Sequence, residues 1–196
     1  MTNFIWLLWC IGSVGADPAP VEQEERDHSP IHQTLFEDQT TPAGLDWQGE
    51  KTFSVAWVDF DNDGYEDLYI QSHQNSNTRL LLNQGDGSFL DSLSTIRPEG
   101  VDSDTHGTAW ADFDNDGDPD LAIATGAYSG RGERGLPNIL LRNDDGRLIE
   151  VAEELGVDYP LARGRSPFWF DQNGDGLLAL IFLNEPRADG RAPNVF

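Results

Sequence analysis

One segment recurs three times along the chain, and this repeat most constrains what the chain can fold into. In each copy an apolar stretch containing tryptophan leads directly into a loop of alternating acidic residues. The copies span residues 55–68, 108–121 and 167–180. Their first acidic residues, Asp59, Asp112 and Asp171, are 53 and then 59 residues apart. Self-similarity at a period of about 40–60 residues predicts propeller blades or another array of repeats.

A second unit follows each of the first two acidic loops. It consists of an apolar run, a Gly/Asp turn and another apolar residue, at residues 78–89 and again at 138–148. This pattern is typical of a β-hairpin. Each period then contains four strands: one before and one after the acidic loop, and one before and one after the Gly/Asp turn. Four short antiparallel strands per repeat predict an all-β fold built of propeller blades.

The repeats divide the chain into blades. Two are whole, at 53–95 and 107–157; the end of another lies at 34–45, and an incomplete one at 165–196. A closed propeller contains roughly four to eight blades. We therefore expect a partial propeller, as from a fragment or a truncated reading frame, whose unpaired faces and edges favour aggregation. Few stretches look helical; residues 150–156 could form one or two turns of helix, with Gly156 as the stop.

The acidic loops carry oxygen ligands at alternate positions around a glycine that permits a sharp turn. Carboxylates in this arrangement can converge on one hard cation, and Ca²⁺ accepts six to eight oxygens in irregular geometry. Zinc is disfavoured because the loops contain neither cysteine nor histidine, and Mg²⁺ prefers fewer carboxylates and more water. The sequence therefore predicts calcium as the cofactor. The candidate ligands are Asp59, Asp61, Asp63, Tyr65, Asp67, Asp112, Asp114, Asp116, Asp118, Asp120, Asp171, Asn173 and Asp175.

An EF-hand is the main alternative for such loops, and the sequence argues against it. The EF-hand needs a bidentate Glu at position twelve, followed by a helix. Position twelve is Ile70, Ile123 or Phe182, within residues that alternate as in a strand. A carboxylate at position nine, Asp67 or Asp120, closes the site instead. The loops are therefore predicted to join two strands.

The three loops are unequal. At position seven, Tyr65 and Asp118 would most simply supply backbone carbonyls to the metal. The third loop has Ala179 where the closing aspartate is expected. With fewer charges and no closing carboxylate, the third loop is expected to bind a cation weakly or to be only structural.

The charge balance restricts the classes of partner. The chain has 12 basic and 35 acidic residues and a net charge of −23. Nucleic acids and anionic membranes need a basic surface, so both are excluded as partners. The excess negative charges repel one another in a compact chain, and bound cations would reduce that repulsion.

The N-terminus is predicted to direct secretion. Residues 1–16 combine an apolar run with a small-residue cleavage site, although they lack a basic residue; the alternative is a buried strand. The run is too short to span a bilayer, so no membrane insertion is expected. Residues 17–33 are predicted to be a flexible acidic N-terminus. The single cysteine, Cys10, lies in the signal, so the mature chain is expected to have no disulfide and to be secreted to an extracellular or periplasmic space.

At these residues the sequence resembles the FG-GAP or VCBS-type repeat, with loops of the form Asp-x-Asp-x-Asp-Gly-x-x-Asp-Leu. The match is close at 59–68 and 112–121, and 82–89 resembles the same repeat's Asn-x-Gly-Asp-Gly-x-Phe segment. Segments 36–45 and 148–157 resemble the Phe-x-Asp-Val-Thr-x-x-Ala-Gly-Leu ending of the cartilage acidic protein family, which is related to the integrin α-subunit propeller. The resemblance implies a seven-bladed propeller with calcium on the strand-connecting loops and a role in adhesion or scaffolding.

Two functions follow from these observations. The first is a secreted calcium-binding module that acts in adhesion, as a scaffold or in binding a protein or polysaccharide ligand outside the cell, and that is not an enzyme. The alternative is the propeller portion of a secreted hydrolase or lyase acting on polysaccharide. The sequence has no Gly-x-Ser-x-Gly elbow, no catalytic cysteine and no His-Glu-x-x-His, and its histidines are scattered, which favours the first.

Overall fold

The computed structural model of the chain describes residues 37–47, 52–72, 78–96, 104–126, 136–159 and 163–185. The chain divides into two compact units, Met1–Asp46 and Trp47–Phe196. In the described part of the first unit, residues 40–44 form a turn, closed by a hydrogen bond of 2.8 Å from Leu45 N to Thr40 O. The predicted signal peptide and flexible N-terminus, 1–33, lie outside the described residues.

The second unit consists mainly of short strands joined by tight loops. In chain order its elements are β1 (Thr52–Val58), β2 (Asp67–Ser72), β3 (Arg79–Asn83), β4 (Phe89–Asp91), α1 (Leu93–Ile96), β5 (Thr105–Ala111), β6 (Asp120–Thr125), β7 (Ile139–Asp144), β8 (Arg147–Glu150), α2 (Ala152–Leu155), β9 (Gly164–Phe170) and β10 (Ala179–Asn184). None of the helices in these described stretches is both long and apolar enough to cross a membrane.

The strands form two four-stranded antiparallel sheets and one two-stranded hairpin. Sheet 1 has the order β1-β2-β3-β4, sheet 2 has the order β5-β6-β7-β8, and hairpin 3 pairs β9 with β10. Consecutive strands are neighbours throughout, as the repeat of acidic loops and Gly/Asp turns predicts. The all-β fold class and the four-stranded antiparallel repeats are therefore confirmed.

Equivalent strands in the repeats share one register. Trp57 pairs with Leu68 in sheet 1, and Trp110 pairs with Leu121 in sheet 2. Trp169 of hairpin 3 pairs with Leu180. Because side chains alternate between the two faces of a strand, this shared register places the three tryptophans on the same face of their units.

The core lies between successive units. One buried cluster joins sheet 1 to sheet 2 and includes Phe60, Tyr69 and Leu121. A second cluster includes Ala122 of sheet 2 and Phe182 of hairpin 3. Sheet 2 contributes to both clusters, so β6 is buried along its whole length. That explains its continuous Leu-Ala-Ile-Ala run, since a strand covered on both faces needs no polar alternation.

Glycine permits a close approach between sheet 2 and hairpin 3. A Cβ atom placed on Gly107 would lie 2.3 Å from the carbonyl oxygen of Arg165. No larger residue fits there without moving the backbone. The predicted helix at 150–156 is α2, and Gly156 ends it in the left-handed conformation with φ 71°.

Candidate metal centre

Three acidic loops occupy the same position in the three units. Loop 1 (residues 59–66) joins β1 to β2, loop 2 (residues 112–119) joins β5 to β6, and loop 3 (residues 171–178) joins β9 to β10. Each acidic loop therefore joins two paired strands, and none of these three loops leads into a helix, which agrees with the argument against an EF-hand.

Loop 1 brings three predicted ligands together. Asp59, Asp61 and Asp67 each offer a carboxylate oxygen within 4.8 Å of the other two. The backbone N–H of Gly64 donates to Asp59 Oδ2 at 3.0 Å. The other oxygen, Asp59 Oδ1, is buried and accepts no hydrogen bond in the described part of the chain. A buried carboxylate oxygen without a donor is a costly arrangement that a cation would stabilise.

Asp67 also has a structural role that its position in the motif does not reveal. The side chain is completely buried, with 0% exposure. Its two oxygens accept hydrogen bonds from Phe60 N at 2.9 Å and Asn83 N at 2.8 Å. Burial raises the pKa of Asp67 despite these two donors, and the charges of Asp61 and Asp63 raise it further. Asp67 thus connects the start of loop 1 to the end of β3.

Loop 2 forms a second group of three carboxylates. Asp112, Asp114 and Asp116 each have an oxygen within 4.8 Å of the other two. Asp116 N and Gly117 N donate to the two oxygens of Asp112, each at 3.1 Å. Desolvation and the neighbouring charge of Asp116 raise the pKa of Asp114. A cation at this group would offset the repulsion between the carboxylates.

Asp120 repeats the arrangement of Asp67 at the end of loop 2. It is completely buried, and its oxygens accept hydrogen bonds from Phe113 N and Asn143 N, both at 2.9 Å. Burial raises the pKa of Asp120 to about 6, against the lowering effect of these two N–H groups. Asp120 lies outside the three-carboxylate group of its own loop, unlike Asp67. In this structure the Asp120 carboxylate stabilises loop 2 through these two hydrogen bonds.

Loop 3 differs from the other two. The carboxylate of Asp171 accepts backbone hydrogen bonds, the closest from Gly174 N at 2.7 Å and Gly176 N at 2.8 Å, and these donors lower its pKa. The Asn173 amide donates to Asp175 Oδ2 at 2.9 Å, so an amide–carboxylate pair replaces a pair of carboxylates. Ala179 begins β10 where the other units have a buried aspartate. Among the described residues, loop 3 forms no group of three carboxylates.

The remaining predicted ligands lie beside the two groups. Asp63 Oδ1 accepts a hydrogen bond from Tyr65 N at 2.8 Å, and the Tyr65 side chain is half-exposed. The carboxylate of Asp118 accepts from Asn62 Nδ2 at 2.7 Å and from Asp145 N at 2.8 Å. Those contacts occupy the Asp118 side chain, which leaves its backbone carbonyl for the ligand role that the sequence predicts.

Sequence reasoning did not find the asparagines that connect these loops. Asn62 donates to Asp118 and also to Gly117 O at 3.3 Å, and Asn115 donates to Gly176 O at 3.5 Å. Asn62 and Asn115 have positive φ values of 57° and 60°, which asparagine tolerates better than most residues. The only signal in the sequence was the shared asparagine at position four of loops 1 and 2.

A second pair of asparagines braces the loops from the hairpins. Asn143 Nδ2 donates to Phe60 O at 3.1 Å and to Pro119 O at 3.2 Å. Asn83 Nδ2 donates to Glu66 O at 3.1 Å. These contacts explain why the two hairpins share an asparagine at the same position. Each asparagine donates to the acidic loop of its own unit, and Asn143 also donates to loop 1.

The spacing within the two carboxylate groups is compatible with calcium. Ca²⁺ binds oxygens at about 2.3–2.6 Å, so two ligands on opposite sides of the ion lie up to about 5 Å apart. In each of the two groups the three carboxylate oxygens lie within 4.8 Å of one another, which is inside that range. Three carboxylates with backbone carbonyls and waters would reach the coordination number of Ca²⁺.

Comparison with known proteins identifies the repeat. Residues 59–123, which run from loop 1 to the middle of β6, match the model of the FG-GAP-like repeat family. Over 147 residues, or 74% of the chain, the sequence is 28% identical to Cartilage acidic protein 1 of Homo sapiens, and the Mus musculus protein of that name gives the same identity and coverage. The chain spans 22% and 23% of the length of these two relatives. The family-model match at residues 59–123, together with the repeated sheets and acidic loops, supports FG-GAP-like repeats in this chain.

Proposed function

We propose that the chain is a calcium-binding module of an extracellular repeat protein, in which loops 1 and 2 each hold one Ca²⁺. The observation that carries the proposal is the group formed by Asp59, Asp61 and Asp67, with the buried, unpartnered oxygen Asp59 Oδ1. The FG-GAP-like repeat and the corresponding group in loop 2 support it. Loop 3 is proposed to be a structural turn, since backbone N–H groups and an amide take the place of the cation there.

The proposed role of the metal is to stabilise neighbouring units rather than to do chemistry. Loop 1 contacts loop 2 through Asn62, and loop 2 contacts loop 3 through Asn115. A cation that orders loops 1 and 2 would therefore also order the contacts between units. In this proposal the sheets are blades of a propeller, and the partner is a protein or polysaccharide ligand outside the cell.

The surroundings of His106 favour binding over catalysis. The ring stacks on Phe53 with centroids 5.6 Å apart, and Nδ1 lies 3.0 Å from Gly164 O. Asp104 and Arg165 also contact the ring. A histidine held between three strands in this way supports packing rather than proton transfer, so the chain is proposed to be no enzyme, and the polysaccharide hydrolase or lyase is set aside.

Calcium titration with thermal melting tests the metal proposal. Purified chain is stripped of metal and melted over a calcium range that brackets about 10⁻⁴–10⁻³ M, the usual range for extracellular modules. Each occupied site adds about 1.4 kcal/mol to the unfolding free energy at ten times its Kd. We expect melting to rise with calcium and to rise less with the same concentration of Mg²⁺.

Equivalent substitutions in the three loops separate the sites. Asp59→Asn and Asp112→Asn should each remove part of the calcium-dependent rise in melting temperature, and the double variant should remove nearly all of it. Asp171→Asn is the matched control, because it changes the same motif position in loop 3 and should leave the rise intact. A melting curve that calcium leaves unchanged, or equal effects of all three variants, would contradict the proposal.

The class of ligand is tested separately. The purified chain is applied to immobilised polysaccharides and extracellular matrix proteins, with calcium and with a chelator. We expect binding that calcium strengthens and that Asp59→Asn weakens. Binding that is equal in calcium and chelator would count against a role for the loops in presenting the ligand surface.

A further inference from the structure

Two asparagine side chains join loop 1 to loop 2, and both contact the backbone beside predicted calcium ligands. Asn143 reaches the two loops from the hairpin of sheet 2, and Asn62 reaches loop 2 from loop 1. Their settings differ, since Asn143 is completely buried whereas Asn62 is exposed. The two loops are therefore connected twice, through separate side chains.

Asn143 holds both loops with one planar amide. Its Nδ2 donates to Phe60 O at 3.1 Å and to Pro119 O at 3.2 Å, so its two amide hydrogens go to two different loops. Phe60 lies between two predicted ligands of loop 1, and Pro119 is the last residue of loop 2. Asn143 Oδ1 accepts a hydrogen bond from Gly146 N at 2.9 Å, which fixes the orientation of the amide. A shift of either loop therefore moves the amide that holds the other loop.

Asn62 provides the second connection. It lies between the predicted ligands Asp61 and Asp63 of loop 1. Its Nδ2 donates to Asp118 Oδ1 at 2.7 Å and to Gly117 O at 3.3 Å in loop 2. The backbone carbonyl of Asp118 is the predicted position-seven ligand of loop 2. An ordered loop 1 therefore fixes the segment of loop 2 that is expected to supply a ligand.

These shared contacts have a thermodynamic consequence for cation binding. A cation that orders one loop also fixes the contacts between the loops, so less conformational entropy remains to be lost when the second loop binds its own cation. Repulsion between the two cations opposes this effect, but salt at about 0.15 M screens it over about 8 Å. Each of the two loops contains four acidic residues, so its charge stays negative with one Ca²⁺ bound. The ordering effect is therefore expected to be the larger one.

We infer that loops 1 and 2 bind calcium with positive cooperativity, and that Asn62 and Asn143 are the positioning residues that couple the two sites; this inference rests on the proposed function. Occupation of one loop raises the affinity of the other about five-fold or more, and the effect is reciprocal. Loop 3 takes no part, because it forms no group of three carboxylates among the described residues.

A calcium titration followed by two-dimensional NMR reads the two loops separately. Gly64 N and Gly117 N are equivalent amides that donate to the first aspartate of loop 1 and of loop 2. Their signals are followed in the metal-stripped full chain at about 0.15 M salt. Asp59→Asn leaves only the site in loop 2, and Asp112→Asn leaves only the site in loop 1. A two-site fit to the three titrations gives the coupling factor, the fold increase in affinity of one loop when the other is occupied.

Asn62→Gly removes the exposed connection, and glycine accepts the positive φ at this position. We expect the coupling factor, measured with the same two aspartate variants in this background, to fall toward one. Asn115→Gly is the matched control, because it changes the same motif position in loop 2 but removes a contact to loop 3. It should leave the coupling factor unchanged. A merely structural role of Asn62 would lower the melting temperature or both affinities without changing this factor.

Asn143→Ala tests the buried connection, with Asn83→Ala as its control. Asn83 Nδ2 donates within its own unit, to Glu66 O at 3.1 Å. Its loss should weaken calcium binding by loop 1 without changing the coupling factor, whereas Asn143→Ala should lower the factor. If thermal melting shows that Asn143→Ala has lost its fold, the comparison of Asn62→Gly with Asn115→Gly decides the matter.

The outcomes separate the coupling from the calcium proposal. Two bound Ca²⁺ with a coupling factor of one or less would overturn the cooperativity and leave the proposed function intact. A factor that stays high in both Asn62→Gly and Asn143→Ala, or that falls equally in Asn115→Gly, would overturn the role of the two asparagines. A chain that binds no calcium would overturn the proposed function and the coupling together.

Discussion

At the scale of single residues, the buried aspartates Asp67 and Asp120 have a structural role that the motif does not reveal. The motif predicts them as carboxylates that close a cation site. The structure adds that both oxygens of each aspartate accept backbone N–H groups from two separate segments. Sequence reasoning could place these residues at the start of a strand, but the donors Asn83 and Asn143 come from β3 and β7, whose approach depends on the whole sheet.

Asp120 should make the metal-free chain less stable as pH rises. Its pKa in the folded chain is about 6, above the ordinary value of 3.8. The folded chain therefore binds this proton more tightly than the unfolded chain, and the resulting stabilisation is complete below about pH 4 and is lost as pH rises through about 6. We expect the melting temperature in calcium-free buffer to fall between these pH values.

Asp120→Asn is the control for this pH dependence. An asparagine resembles the protonated aspartate in shape and charge, so the variant should show a shallower fall in melting temperature over the same pH range. The other carboxylates still titrate in the variant, which isolates the contribution of Asp120. An unchanged slope would mean that burial of Asp120 is not the source of the effect.

At the scale of elements, the strands and their order follow from local patterns. The alternation in β1, the apolar run of β6 and the Gly/Asp turns each act over a few residues, which is why the sequence predicts them well. The contacts between units, in contrast, are not predicted by local sequence patterns. The reach of Asn62 to loop 2 and the approach of Gly107 to Arg165 depend on the angle between sheets, for which the sequence offers no local signal.

The recurring tryptophans should contribute very different amounts to stability. Trp110 packs between sheets 1 and 2, whereas Trp57 is 41% exposed. Trp110→Ala should lower the unfolding free energy by about 3 kcal/mol or more, in the range for large core side chains. Trp57→Ala should cost about 1 kcal/mol or less. Urea unfolding at concentrations where the chain is monomeric measures both, and similar costs would contradict the packing described.

The contact between loops 1 and 2 can be removed without straining the backbone. Asn62→Gly deletes the amide while glycine accepts the positive φ of 57°. The lost hydrogen bonds to Asp118 and Gly117 should lower the unfolding free energy by about 0.5–1.5 kcal/mol. Asn115→Gly is the matched variant and should cost less, because its single bond to Gly176 O is longer, at 3.5 Å. The reverse order in urea unfolding would argue against the Asn62 contact.

At the scale of the whole molecule, the net charge of −23 opposes the compact state. Ten of the 35 acidic residues lie in loops 1, 2 and 3, and the contact between Asn62 and Asp118 brings loops 1 and 2 near one another. The sequence predicts both the net charge and the repeated acidic loops, and therefore that each loop carries several negative charges.

Monovalent salt should stabilise the calcium-free chain. At an ionic strength of 0.1 M the screening length is about 10 Å, so repulsion between neighbouring loops is reduced. We expect the melting temperature in calcium-free buffer to rise as NaCl increases from about 0.01 to 0.2 M. With calcium bound the same salt series should have a smaller effect, because the cations already offset the charge. A salt series without effect in calcium-free buffer would indicate that loop repulsion is minor.

The dual hydrogen bonding of Asp67 has a consequence for folding kinetics. Loop 1 reaches its final geometry only when β3 has docked, since Asn83 N holds one of the carboxylate oxygens. If the calcium site forms this late, the transition state for folding lacks it, and an interaction absent from the transition state acts on the unfolding rate. Stopped-flow measurements should then find that calcium slows unfolding many times more than it speeds folding, so that the metal controls how long the folded chain persists.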